Sequence, residues 1–470
     1  MDDEIWTWDS VATAAAIRAG SISSREATEA AIDRMHAVNP ALNAVVESLE
    51  AEALAAADAA DISRARGGAL GTLHGVPVTA KVNVDVAGHA TTHGVVAFKD
   101  AMAADDSASV ANLRHAGAVI VGRTNVPTFS YRWFTTNSLY GKTHNPWDPA
   151  LSPGGSSGGA AAASAAGIGS IAHGNDVAGS LRLPASTCGI YGMRPTAGRL
   201  PSYNPAQGAE KSLCLQIAAT EGVLARSVRD IDAGLSALER PDHRDPWQAP
   251  PLTPRLELGM PCRVALFVGE AEFGTHAEVA ANVRQAAMWL EDAGYIVDEV
   301  APPRLAEMAE LWMALLYAEC SGPVRDFMLS VGDDAFRKAF HDTAGNLPVL
   351  DAMGVQQAWE RRLSIQREWQ VFFAEYPVVL TPTSFQPTFP IDHDQEGAEI
   401  MAMIMKAFSP LSSTAGLSLP AVSVPVGQAR NVPAGVQIVA GRFMDERCLA
   451  AARVMEENIG PIAPIDPVRG

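Results

Sequence analysis

The chain has 470 residues, 48% hydrophobic and 19% charged, enough to bury one large α/β core or two smaller ones. A formal charge of −18 with no basic cluster argues against nucleic acid or an anionic membrane as a direct partner. Five scattered cysteines without a CxxC pair suggest neither a zinc site nor a disulfide framework. The acidic start Met1-Asp2-Asp3-Glu4 lacks the layout of a signal peptide, and no run of about 18 strongly apolar residues occurs. The expectation is a reduced, cytoplasmic location.

In chain order, residues 10–60 read as helical. Ser23 and Glu26 have capping-box spacing, Ile32 and Met35 give an apolar stripe that stops before Asn39-Pro40, and residues 51–60 are Ala-rich. Residues 75–82 predict a short buried strand carrying Lys81, and residues 118–121 another that ends at Gly122. Residues 136–158 predict a loop, residues 158–166 a helix of small residues, and residues 174–184 a second loop. Residues 240–260, with several prolines and charges, are the expected linker or surface excursion. Strands follow at 263–268, 295–300, 378–381, 419–427 and 435–440. Between the first two, Val279, Val283, Ala286 and Leu290 share one helical face. The alternation predicts an α/β fold, one α/β/α domain over residues 1–470 with a central mixed sheet covered by helices.

Three segments carry candidate chemistry. In Ser152-Pro153-Gly154-Gly155-Ser156-Ser157-Gly158-Gly159 every position but Pro153 is glycine or serine, and a helix follows at once. Such a loop lets backbone pass close to another group with helix N–H donors aimed at it, although a linker is Gly/Ser-rich too. In residues 174–184, Ser180 follows a turn of small residues that can set its hydroxyl beside unpaired backbone N–H groups, the requirement of an oxyanion hole. Asp176 and Arg182 fit an ion pair that ties this loop down; the bland alternative is an ordinary salt-bridged turn. Lys81, in its apolar run, reads either as an edge lysine snorkelling to solvent or as a desolvated, neutral base.

Together these segments resemble the amidase signature family. The likeness rests on the Gly154–Gly159 run, on Gly174-Asn175-Asp176-Val177-Ala178-Gly179-Ser180-Leu181-Arg182, and on Cys188-Gly189-Ile190-Tyr191-Gly192-Met193-Arg194-Pro195-Thr196, with the family's spacing between the two serines. Gly75-Val76-Pro77 before Lys81, Gly122-Arg123-Thr124-Asn125, and Asn145-Pro146-Trp147 fit as well. The signature core is thus about 70–200, with a more variable substrate-loop region about 240–410. The resemblance implies that Ser180 is the nucleophile, that Ser156 follows a cis peptide bond and bridges Ser180 to Lys81, and that neutral Lys81 is the general base. It implies an oxyanion hole from the backbone N–H groups of Val177, Ala178, Gly179 and Ser180, a substrate channel lined by Ser130 and Tyr131, and no metal or organic cofactor. Two departures stand out: Ala178 replaces a glycine, and Asn175 replaces a threonine.

The expected reaction is hydrolysis of a small to medium, apolar or aryl amide, a small molecule, with esters as a side activity. A homodimer is the default assembly. The glutaminase (A) component of a tRNA-dependent amidotransferase complex carries the same signature and is the alternative; the aromatic run Tyr131, Trp133 and Phe134 argues for an apolar pocket instead. Gly154-Gly155-Ser156-Ser157-Gly158 also satisfies the G-x-S-x-G elbow of α/β-hydrolases, but no strand precedes it and His341 and His393 lie in no recognisable context. His173 and Cys188 read as packing residues, and Met401, Met403 and Met405 as one helical packing face.

Overall fold

The computed structural model describes residues 4–205, 210–250 and 262–468. Thirteen strands are present among them: β1 (Val45–Ser48), β2 (Pro77–Lys81), β3 (Val119–Thr124), β4 (Thr136–Asn137), β5 (Gly141–Lys142), β6 (Ile171–Asp176), β7 (Tyr191–Arg194), β8 (Thr220–Ala225), β9 (Arg263–Leu266), β10 (Ile296–Glu299), β11 (Val378–Pro382), β12 (Ala421–Ala429) and β13 (Val432–Ala440). Eleven form one mixed sheet in the order β1-β3-β2-β6-β8-β7-β12-β13-β11-β9-β10, and β4 and β5 form a small hairpin. Pairing is antiparallel through the middle, from β6 to β11, while β3-β2-β6 and β11-β9-β10 are parallel.

The strand sequences explain their place. Strands β2, β3, β8, β11 and β13 are buried at every residue, as apolar runs covered on both faces by helices must be. The edge strand β10 is half exposed and ends in Asp298 and Glu299, charges that discourage a further strand from pairing with it. One apolar cluster runs from Ala14 and Val78 to Ile438 and Met455, so both ends of the chain share a core.

Most elements lie where the pattern puts them, and the Ser23–Glu26 capping box opens the helix Ser24–Leu42. Several details differ. Residues 10–60 are not all helix: β1 separates Ser24–Leu42 from Glu50–Ala65, because its residues pair with β3. Pro40 does not end its helix but sits in the last turn, where only one intrahelical bond is lost. Strand β3 continues past Gly122 to Thr124, since Gly122 lies against Val45 of β1, where a Cβ would come within 2.5 Å. The loop expected at 174–184 shrinks to residues 177–181, its flanks absorbed by β6 and by the helix Arg182–Cys188. The loop expected at 136–158 carries the β4–β5 hairpin. Of the 240–260 excursion, residues 251–260 lie outside the described residues. Met401 is buried but Met403 is exposed, because a spacing of two residues on a helix straddles its faces.

Strands β2 and β6 are parallel neighbours, so both end at the same edge of the sheet. That edge is where open α/β sheets place their ligands.

Candidate active site

Lys81 closes β2 with none of its surface exposed. Its Nζ lies 2.7 Å from Ser156 Oγ and 2.7 Å from Asn175 Oδ1. Both partners are neutral, so no charge in direct contact stabilises an ammonium ion. Burial pushes the lysine down to about 7, against the opposing pull of Glu221 and Asp176. A neutral amine in hydrogen-bond contact with a serine hydroxyl can take a proton from it.

Ser156 sits on the Gly/Ser loop, and the Gly155–Ser156 peptide bond is cis. Gly155 is required by close approach, since a Cβ there would lie 2.6–2.8 Å from backbone atoms of residues 132–134. The N–H of Ser157 donates to the carbonyl of Ser180 at 3.2 Å, which stitches the two serine loops together. Ser180 itself is 6% exposed and opens on the cavity described below.

The Ser180 loop is wound around one carboxylate. Asp176 Oδ1 accepts the N–H of Gly179 at 2.8 Å, and Oδ2 accepts that of Leu181 at 3.1 Å. Arg182 adds two contacts of 3.0 Å, and Arg194 Nη1 donates to the Asp176 carbonyl at 2.6 Å. Burial would raise this carboxyl, but Arg182, Arg194 and the loop N–H hold it well below the usual range. Asp176 and Arg182 therefore form the expected ion pair, fully buried rather than at the surface.

Two indoles orient the peptides of this loop. Trp312 Nε1 donates to the Val177 carbonyl at 2.8 Å, and Trp133 Nε1 to that of Ala178 at 2.9 Å. In a trans peptide the N–H points opposite to its C=O, so these two bonds aim the N–H groups of Ala178 and Gly179 away from the indoles. Gly179 spends its N–H on Asp176, which narrows the expected set of four free donors. Those of Val177, Ala178 and Ser180 meet no acceptor among the described residues. Ala178 is absent from the positive-φ positions, so its Cβ is tolerated, whereas Gly179 has φ +106° and a Cβ there would lie 2.7 Å from Leu411 Cβ.

Ser180 borders a cavity of about 700 Å³. Ser130, Tyr131, Trp133, Val177 and Ala178 line it, together with Met313 and Leu316 from the helix Leu305–Glu319. Phe134 is buried away from this cavity, among Leu183, Phe408 and Leu411. Behind the wall, Tyr131 packs on Phe336 and Phe340.

Sequence reasoning missed three of the residues gathered here. Asn83 exchanges hydrogen bonds with Asn175 from the turn just after β2, two residues beyond Lys81. Glu221 lies opposite Asn175 in the β6–β8 register and hydrogen-bonds to His173 at 2.9 Å. Trp312 is distant in sequence and gave no local sign. His173 is thus a buried, paired residue, and Cys188 is buried with its thiol pushed up to about 12 by desolvation. His341 and His393 are not among the residues lining the cavity. No group of three or more His, Cys, Asp or Glu that could hold a metal ion occurs among the described residues, and no helix among them is long and apolar enough to cross a membrane.

Proteins similar to this chain in sequence and fold include amide-cleaving enzymes. The sequence model of the family described as Amidase matches residues 26–449. An indoleacetamide hydrolase of Bradyrhizobium diazoefficiens is 43% identical over 98% of this chain and 88% of its own length. An acylamidase of Rhodococcus erythropolis is 32% identical over 94% of each chain. The solved structure of 6-aminohexanoate cyclic dimer hydrolase in complex with substrate superposes with a TM-score of 0.83, at 27% identity over 98% of each chain. The fold and the site thus define a hydrolase acting on carbon–nitrogen bonds in linear amides. The chain belongs to the amidase family.

Proposed function

We propose that this enzyme hydrolyses small to medium apolar or aryl carboxamides through an acyl-enzyme on Ser180, with the whole chain acting as one amidase domain. Neutral Lys81 takes the proton of Ser156, Ser156 takes that of Ser180, and Ser180 Oγ attacks the amide carbon. The N–H groups of Val177, Ala178 and Ser180 receive the oxyanion, oriented before the substrate arrives. The proton held by Lys81 then returns through Ser156 to the nitrogen as the C–N bond breaks. Ammonia or an amine departs, and water repeats the sequence on the acyl-enzyme to release the acid. Asp176 and Arg182 support the loop, while Ser130 and Tyr131 receive the acyl group.

The observation that carries this reading is the 2.7 Å contact between a sealed lysine and Ser156. The apolar and aromatic cavity walls and the 43% identity to an indoleacetamide hydrolase favour an aryl-substituted acid part, such as an arylacetamide. The amidotransferase reading is the weaker one, because apolar surface predominates in the cavity, although Arg132, Lys211 and Glu319 also line it.

The purified chain assayed alone on a panel running from glutamine through aliphatic to aryl amides tests this. Turnover of arylacetamides without a partner is expected; activity on glutamine alone would reverse the assignment. The base must be neutral to work, so kcat/KM rises with pH through about 7 and levels off above it. A profile that is flat between pH 5 and 9 would remove Lys81 from this role.

A further inference from the structure

Between Lys81 and the cavity wall lies a pair of amides that no step above uses. Asn175 Nδ2 donates to Asn83 Oδ1 at 3.2 Å, and Asn83 Nδ2 donates back to Asn175 Oδ1 at 3.3 Å. The same Asn175 oxygen accepts from Lys81 Nζ at 2.7 Å, and the same Asn83 nitrogen donates to Ser130 Oγ at 3.1 Å. A continuous line of hydrogen bonds therefore runs from Ser156 through Lys81, Asn175 and Asn83 to Ser130, which lines the cavity.

The reciprocal exchange fixes both amide orientations. Turning one amide alone sets N–H against N–H and oxygen against oxygen. Turning both would aim an N–H at the ammonium that Lys81 becomes in each turnover. Asn175 therefore always presents an acceptor to the lysine. A neutral amine has two N–H donors and one lone pair, tetrahedrally arranged. With an N–H committed to Asn175, the lone pair is excluded from that direction and is free to meet the Ser156 hydroxyl.

We propose that the Asn83–Asn175 pair is a positioning element for the amidase reaction, holding the lone pair of Lys81 on Ser156 and fastening the base to Ser130 on the cavity wall. This rests on the reading of Lys81 as the base. The pair also gives Asn175 a use that its departure from threonine left open. Ser130 accepts from Asn83, so its own O–H is left to donate toward a substrate acceptor.

The charged and titratable groups around Lys81 come from several elements. Glu221 acts on it from β8, itself hydrogen-bonded to His173, and Asp176 from the end of β6; His93 also senses its charge, together with those of Asp85 and Arg123. Among the described residues, however, only Ser156 and Asn175 touch Nζ. A charge placed at position 175 is thus a change in direct contact with the base.

The test is the pH dependence of kcat and KM for an arylacetamide in Asn175→Asp, Asn83→Asp, Asn83→Ala and Lys81→Met. A carboxylate against the lysine favours the ammonium form, so the acid limb of Asn175→Asp moves up by about two pH units. Its kcat then falls about 50-fold at pH 7 and recovers near pH 10, a rescue that mere structural damage would not produce. Asn83→Asp, one amide further away, shifts the limb in the same direction by less and carries the test should Asn175→Asp not fold. Asn83→Ala lowers kcat about tenfold across the whole pH range while KM changes little, since the base loses its aim rather than its charge. An unshifted acid limb in folded Asn175→Asp and Asn83→Asp, with Lys81→Met inactive, overturns the positioning role and leaves Lys81 as base. Full activity in Lys81→Met overturns the base assignment itself.

Discussion

The two sides of the cavity are built by opposite means. On the nucleophile side, Asp176, Arg182 and Arg194 are all fully buried, and each loop peptide is bound or aimed by a named partner. On the other side, Met313 and Leu316 present apolar surface by packing alone, although Trp312 of the same helix bonds to Val177. Val324 and Phe327, further along the same wall, are about half exposed. Directional bonds fix positions to fractions of an ångström, whereas packing of this kind tolerates a change of shape or volume. On the proposed mechanism the reacting atoms are held by the first side, and selection among substrates falls to the second.

Substitutions on either side sharpen this contrast, and the largest effect belongs to the nucleophile. Ser180→Ala lowers kcat about 10⁴-fold or more while the enzyme still binds arylacetamides, measured by turnover and by calorimetric titration. Retained turnover would move the reacting serine elsewhere, and labelling of Ser156 by an acylating probe would identify it.

Removing the guanidinium in Arg182→Met leaves the Asp176 carboxylate short of a buried partner, a loss of about 3–5 kcal/mol. Urea unfolding followed by fluorescence reads it, and an unchanged midpoint would show that Arg194 alone suffices. A cavity-wall change is milder. Tyr131→Ala raises KM for aryl amides about tenfold and leaves kcat for acetamide within about threefold, the range a lost apolar contact commands. Equal losses for both substrates would mean that the wall positions the reacting atoms after all. Smallest is Ala178→Gly. Because Ala178 already has ordinary backbone angles, restoring the family's glycine changes kcat by less than about threefold and costs under about 1 kcal/mol of stability.

This contrast also explains what the sequence disclosed. The nucleophile side is made of residues close together in the chain, where glycine, serine and charge spacing carry the information, so Ser156, Ser180, Asp176 and Arg182 could be named from it. Lys81 came from an apolar run that held one charge. The apolar part of the cavity is assembled from residues 313–343 and residues 129–133, a juxtaposition that no local pattern encodes. Trp312 was illegible for that reason, its indole reaching Val177 across 135 positions. The fold class followed from alternation, but β1 is short and owes its conformation to pairing with β3, a tertiary contact that overrides the surrounding helical pattern. Asn83 lies in the turn after β2, where strand periodicity no longer applies, and gave no signal of its own.

The Asp176–Arg182 knot has a consequence for how the enzyme comes into being. Arg182 also donates to Gln437 in β13 and to the carbonyl of Leu411, 255 and 229 positions further along the chain. During synthesis, the segments bearing Lys81, Ser156 and Ser180 leave the ribosome long before those partners exist. The Ser180 loop gains its last partners only when nearly the whole polypeptide has emerged, so on the proposed mechanism a nascent or prematurely terminated chain is chemically silent.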